Sequence, residues 1–71
     1  MNYSVLGMDY ANGDVRNITL YETDSIQEAN SWVAGYVNHD RTMGGWDSIN
    51  VVSKDGYRKS EYSHDFGWTH Y

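Results

Sequence analysis

A chain of 71 residues without cysteine is expected to form one domain, with neither a disulfide framework nor a thiolate metal site to support its core. At this length, folding buries only about 60% of the surface that the unfolded chain exposes, so we expect modest stability. Ten acidic against five basic side chains give a net charge of −5, which argues against direct nucleic-acid binding because phosphates require clustered Lys and Arg.

The N-terminal segment, residues 1–10, lacks the basic start and the apolar run of a signal peptide. No apolar stretch in the chain approaches the roughly 18 residues that a transmembrane helix needs. These two observations predict a soluble, cytoplasmic protein without a membrane partner.

The first two predicted strands are rich in β-branched and aromatic residues and cover about residues 2–10 and 15–21. Between them, Asn12-Gly13 is a hairpin signal because both residues tolerate a positive φ angle. A two-residue turn would pair Leu6 with Thr19, whereas a three-residue loop over residues 11–13 would pair Leu6 with Ile18. We favour the longer loop because it places the aliphatic side chains of both strands on one face.

The one helix of useful length is predicted at about residues 24–38. At 100° per residue its apolar side chains fall on one arc, formed by Ala29, Trp32, Val33, Tyr36 and Val37. Asp24 with Gln27, and Ser25 with Glu28, both have capping-box spacing, so the start of the helix is well marked. A helix with a single apolar face needs a sheet to cover that face.

A second pair of strands follows at about residues 46–53 and 57–64. A two-residue turn at Asp55-Gly56 would pair Val51 with Ser60 and Ile49 with Tyr62. The outer face of the last strand is polar, with Tyr57, Lys59 and Glu61, and this polarity predicts a position at an edge of the sheet. Residues 65–71 form an aromatic tail without a strand period, and we expect Phe66 or Trp68 to pack against the domain.

The predicted fold is therefore α+β: a single small ββαββ domain over residues 1–71, in which an antiparallel sheet of about four strands packs on one helix. The predicted core consists of the aliphatic residues that the helix and strand periodicities place on the inward faces: Leu6, Ile18, Leu20, Ile26, Ala29, Val33, Val37, Ile49 and Val51. The second face of the sheet is left to water, to the aromatic tail or to a partner.

Enzyme and metal chemistry are not indicated. His39, His64 and His70 lack a recurrent ligand spacing, so no metal or other cofactor is predicted. Gly44-Gly45 precedes a strand and is not followed by lysine, which rules out a phosphate-binding loop. A sheet of about four strands with one helix is also expected to leave little room for a catalytic pocket.

Charge suggests a binding protein instead. Residues 1–38 carry five acids and one base (−4), whereas residues 39–71 carry five acids and four bases (−1). The excess of negative charge in the first half creates an electrostatic field that can steer a basic protein partner. The same carboxylates could also serve only for solubility. The candidate contacts are Asp9, Asp14, Glu22, Asp24 and Glu28, with Tyr10, Tyr21 and Trp46 as aromatic anchors.

A small acidic protein that docks on a basic surface could compete with nucleic acid for that surface. Proteins of this size and charge are often inhibitors made by phages or mobile elements, such as anti-CRISPR proteins, although here the analogy involves no motif. The alternative is a self-associating structural subunit, a homodimer that pairs through the open sheet face or an edge. Measuring the mass of the protein in solution over a range of concentrations separates the two hypotheses.

Overall fold

A computed structural model describes residues 1–10 and 15–71 of the chain. Strands and helix follow in the order β1 (Tyr3–Asp9), β2 (Arg16–Thr23), α1 (Ile26–His39), β3 (Ser48–Ser53), β4 (Arg58–Ser63) and β5 (Gly67–His70). The predicted α+β class, with one helix on an antiparallel sheet, is confirmed. The strand number is corrected from four to five and the order from ββαββ to ββαβββ.

The sheet has the strand order β2-β1-β3-β4-β5, and each pair of neighbouring strands is antiparallel. Helix α1 packs mainly on β2, β1 and β3. It begins after Ser25, whose hydroxyl accepts a hydrogen bond from the Glu28 N–H at 3.2 Å, so Ser25 is the N-cap. The Ser25 N–H donates to Thr23 Oγ1 at 3.2 Å and not to Glu28, so only half of the predicted capping box forms. The helix also contacts β4, where the Ser60 hydroxyl donates to Asn30 Oδ1 at 2.7 Å.

The buried apolar side chains lie between α1 and the sheet, and they are Val5, Ala29, Val33, Met43, Ile49 and Val51. The predicted core is thereby confirmed at Ala29, Val33, Ile49 and Val51. The partly buried residues Leu20, Ile26 and Val37 pack against this cluster, also as predicted. The two remaining predicted core positions, Leu6 and Ile18, are not part of it.

The first hairpin explains both errors. Leu6 pairs with Thr19 and Gly7 with Ile18, so the pairing of Leu6 with Ile18 that we favoured is wrong. The turn itself lies outside the described residues. The inward positions of β1 are Val5 and Gly7, which turns Leu6 to the other face, and Ile18 opposite Gly7 remains 53% exposed near the edge of the sheet.

The second hairpin has the predicted register but a different turn. Val51 pairs with Ser60, and Ile49 with Tyr62, as expected. The connection is nevertheless a three-residue loop over residues 54–56, closed by the Ser53 N–H to the Tyr57 carbonyl at 2.8 Å. A bulge in β4 follows the loop and restores the predicted register, because it leaves one residue of that strand unpaired.

Strand β4 is not at an edge, contrary to the prediction from its polarity, because β5 pairs with its outer side. The aromatic tail therefore contains a strand, and Trp68 in it packs edge-on against Tyr62, with ring centroids 5.5 Å apart. The expectation that the tail packs is confirmed through Trp68. Phe66 is 84% exposed.

Truncation after Asp65 should lower the melting temperature, because it removes β5 and the packed ring of Trp68. Loss of a packed aromatic side chain costs about 3–5 kcal/mol in well-formed cores, and Trp68 is partly buried, so we expect the lower end of that range. Thermal unfolding followed by circular dichroism measures the effect, with Phe66→Ala as the control that leaves β5 in place. An unchanged melting temperature in the truncated chain would show that β5 contributes nothing to stability.

Candidate functional site

An open cleft of about 900 Å³ lies where the end of β1, the loop before β3 and the turn between β4 and β5 meet. The fold thus leaves more room at its surface than the sequence suggested. The residues that line the cleft are Asp9, Tyr10, Gly45, Asp47, Ser48, Glu61, Ser63, His64, Asp65 and Phe66.

Hydrogen bonds from the end of β1 to the segment before β3 form one wall of the cleft. The Asp47 N–H donates to the Met8 carbonyl at 2.8 Å, and the Tyr10 N–H donates to Asp47 Oδ2 at the same distance. The Tyr10 hydroxyl also lies 3.2 Å from Ser48 Oγ. Because these contacts join backbone to backbone and to side chains, Asp47 and Tyr10 hold defined positions at the cleft.

The loop before β3 reaches this wall through a tight left-handed turn. Met43, Gly44 and Gly45 all have positive φ angles, of 54°, 65° and 85°. Asp40 supports the turn by accepting hydrogen bonds from the Thr42 hydroxyl, the Thr42 N–H and the Gly44 N–H, at 2.6, 3.0 and 3.1 Å. These bonds, that of the hydroxyl foremost, hold the pKa of the Asp40 carboxyl below its usual value, so it stays ionised.

Carboxylates dominate the lining of the cleft, which includes Asp9, Asp47, Glu61 and Asp65 but neither Lys nor Arg among the described residues. Two of them have a cationic neighbour, since Arg16 lies 3.5 Å from Asp9 and Arg58 lies 3.5 Å from Glu61. In each pair the arginine side chain is solvent-exposed and the carboxylate is partly covered, and at 3.5 Å on an exposed arginine we expect both pairs to be weak. The cleft is thus a region of negative potential.

Aromatic side chains stand at the same cleft. Phe66 is 84% exposed and Tyr10 is 43% exposed. The turn that carries Phe66 is held by the Phe66 N–H, which donates to Ser63 Oγ at 3.2 Å, and by Gly67 with φ of 68°. A large apolar ring is therefore presented to solvent on a hydrogen-bonded turn beside the carboxylates.

Comparisons with protein-family models, with curated proteins and with solved structures found no match.

The residues predicted from sequence to bind a partner fall on separate surfaces. Asp9 and Tyr10 lie in the cleft. Tyr21 of β2 and Glu28 of α1 contact each other on the helix side of the sheet, and Asp24 lies in the connection between these two elements. Glu22 pairs with Ser4 and lies on the opposite face of the sheet, and Asp14 lies outside the described residues. The structure therefore separates the predicted acidic residues, and binding by any of them remains a prediction.

At the β2–α1 surface, several predicted contacts already have partners within the chain. The Tyr21 ring stacks on Trp32 with centroids 5.2 Å apart, and its hydroxyl donates to Glu28 Oε1. That hydrogen bond raises the pKa of the Tyr21 phenol. Asp24 accepts a hydrogen bond from the Asn2 N–H at 2.9 Å. Binding at this surface would have to compete with these internal contacts.

Trp46, the third predicted anchor, packs inward. Its indole is half-buried, lies against the hydrophobic core and covers Gly7 so closely that a Cβ atom there would fall 2.5 Å from two ring carbons. The absence of a side chain at Gly7 is what makes room for the indole. In the free protein, Trp46 therefore contributes to packing.

Four lining residues, Asp47, Glu61, Asp65 and Phe66, were not among the predicted contacts. The charges of Asp47, Glu61 and Asp65 lie within residues 39–71, whose net charge is only −1. The distribution of charge along the sequence therefore favoured the other half of the chain. For Asp65 and Phe66 the available signal was the tight turn at residues 64–66, which is evident only when the tail is recognised as a strand.

The three histidines do not come together as a ligand set. Among residues 1–10 and 15–71, no group of three His, Asp or Glu side chains lies close enough to hold a metal ion. His64 also borders a smaller cavity of about 360 Å³ beside the end of α1, together with Val37, Asn38, Arg41, Met43 and Tyr62.

Within the same described ranges, no helix is long and apolar enough to cross a membrane.

Proposed function

We propose that this protein acts by binding, and not by turning over a substrate: it docks the acidic cleft on a basic surface of a larger protein. The observation that supports this most directly is the convergence of four carboxylates from separate segments on one cleft whose described lining has neither Lys nor Arg. Such an arrangement focuses negative potential and raises the association rate with a cationic surface.

The aromatic side chains at the cleft can supply binding affinity, to which exposed charges contribute little. Exposed carboxylates contribute mainly to the rate of encounter, whereas buried aromatic anchors account for much of the affinity at protein interfaces. Phe66 and Tyr10 are the candidate anchors at this cleft. Because the turn of Phe66 is already hydrogen-bonded, little backbone conformational entropy would be lost when the ring is buried.

A basic surface of this kind is commonly one that binds nucleic acid. By occupying it, the protein would exclude nucleic acid and inhibit the partner. A role as an inhibitor of a nucleic-acid-acting host system, of the anti-CRISPR type, is thus the biological form of the proposal, and it rests on charge complementarity.

The proposal is tested with a defined cationic probe, an N-acetylated hexalysine amide, with hexaglutamate as the probe of opposite charge. Chemical shifts of the backbone amides, followed by NMR during the titration, should identify the cleft as the binding surface for hexalysine. Binding should weaken as salt rises, because the contacts are solvent-exposed. Hexaglutamate should not bind.

Asp65→Lys should weaken hexalysine binding by roughly three- to tenfold, since it replaces an attraction with a repulsion at the cleft. The matched control is Glu22→Lys, which changes the net charge equally on exposed β2 and should have a smaller effect. If both variants weaken binding equally, net charge alone drives association and the cleft is not the site. If Glu22→Lys has the larger effect, the face of β2 that points away from α1 is the binding surface instead.

A further inference from the structure

We infer that the cleft recognises arginine in preference to lysine, so that its partner presents an arginine-rich basic segment. This inference depends on the proposed function, because it specifies the chemistry of the partner at the same cleft. The arginine guanidinium would stack on the exposed ring of Phe66 and pair with the carboxylate of Asp65, which lies next to Phe66 in the turn.

The preference follows from the shape of the two cations. A guanidinium is planar, so one group can lie flat on an aromatic face while its edge donates to a carboxylate. An ammonium is a compact, strongly hydrated charge, which gains less from an exposed aromatic face. Bidentate pairing with a carboxylate already favours a guanidinium, and the 84% exposed ring of Phe66 adds a face on which only the planar cation stacks well.

The chain itself contains this combination on the same sheet. The guanidinium carbon of Arg58 lies 4.6 Å from the centroid of the Tyr71 ring, and an Arg58 nitrogen lies 3.5 Å from Glu61 Oε2. The Tyr71 hydroxyl also donates to Glu61 Oε1 at 3.3 Å. An aromatic ring and a carboxylate thus hold an arginine together, and the carboxylate is one of those that line the cleft.

Phe66 and Asp65 offer the same pair of groups without an internal arginine. In the described part of the chain, Arg16 pairs with Asp9 and Arg58 with Glu61, and Asp65 takes part in neither ion pair. The face of Phe66 is open to solvent, so a guanidinium from another chain can reach it. Tyr10 supplies a second aromatic group at the same cleft.

The test compares hexa-arginine with hexalysine, both N-acetylated and amidated, on the whole protein at fixed low salt. We expect hexa-arginine to bind roughly three- to fivefold more tightly, the increment of one exposed cation–aromatic contact. Phe66→Ala should lower the ratio, by weakening hexa-arginine binding more than hexalysine binding.

Two further variants separate stacking from general hydrophobic contact. Phe66→Leu keeps an apolar side chain but lacks the ring, and it should lower the arginine preference as much as Phe66→Ala does. Tyr57→Ala removes an aromatic side chain that is also highly exposed, on the β3–β4 turn, and should retain the preference. Both positions are at the surface, and circular dichroism checks that the three variants fold.

The outcomes separate the two proposals. If neither peptide binds saturably at the cleft, the proposed function fails. If both bind there with equal affinity, or if Phe66→Ala and Phe66→Leu leave the ratio unchanged, the arginine preference is overturned while the proposed function stands. A preference that disappears equally in Tyr57→Ala would also overturn the role of Phe66.

Discussion

Val33→Asp should leave the isolated protein unfolded at room temperature. Val33 is fully buried between α1 and the sheet, within the cluster that contains Ala29, Ile49 and Val51. An unpaired buried polar or charged group costs several kcal/mol, and an 8.2 kDa domain has a total stability of roughly 5 kcal/mol. Far-ultraviolet circular dichroism and urea titration measure the loss directly.

The matched control is Ser31→Asp, which places the same charge on the exposed side of the same helix. It should remain folded, with a melting temperature close to that of the original chain, because its carboxylate stays in water. A cooperative melting curve at normal temperature for Val33→Asp would contradict the packing of α1 on the sheet.

Gly7→Ala should be the most damaging single-methyl substitution in the sheet. A Cβ atom at Gly7 would lie 2.5 Å from Trp46 Cδ2 and Cε2, and 2.8 Å from Nε1. The indole is rigid and must move as a whole, so we expect a loss of about 1–3 kcal/mol, as for other overpacked cores. The displaced Trp46 should also change the tryptophan fluorescence of the folded state.

Gly35→Ala is the control for this prediction, because a Cβ atom at Gly35 meets no other atom within 4 Å. The position is exposed and helical, so the substitution should stabilise the protein by about 0.5–1 kcal/mol. A second variant, Trp46→Leu combined with Gly7→Ala, removes the clash, and Gly7→Ala should then cost less than it does beside tryptophan. If the cost is the same in both backgrounds, Trp46 is not what excludes a side chain at Gly7.

Helix α1 and the second hairpin show how much of the fold could be predicted. Each is encoded by local signals: a cap at Ser25 with one apolar stripe for the helix, and Asp55-Gly56 between two strand-forming segments for the hairpin. The register of Val51 with Ser60 was correct even though the turn was not, because the bulge in β4 compensates for the extra loop residue. Bulges depend on how the whole sheet twists and packs, which local sequence does not specify.

The inward face of β1 in the first hairpin and the strand in the tail could not be predicted from the sequence. Leu6 and Val5 are both apolar, so the sequence permitted either face of β1 to point inward. The close packing of Trp46 over Gly7, from a segment almost 40 residues away in the chain, is compatible with only one of them. Likewise, Trp68 has no strand period of its own, and it becomes part of β5 because Tyr62 and the outer edge of β4 are available to pair with.

By itself, the sequence determined the class of the fold, the position of its helix, most of the buried core and the excess of negative charge. These properties follow from composition and from periodicities within single segments. Only the tertiary structure decided which of the charged side chains lie together. Asp9, Asp47, Glu61 and Asp65 are dispersed along the chain, and they line one cleft because the antiparallel order β1-β3-β4-β5 brings the end of β1, the start of β3 and the end of β4 to the same end of the sheet. Such a convergence depends on contacts between residues far apart in the chain, so no pattern within a single segment can encode it.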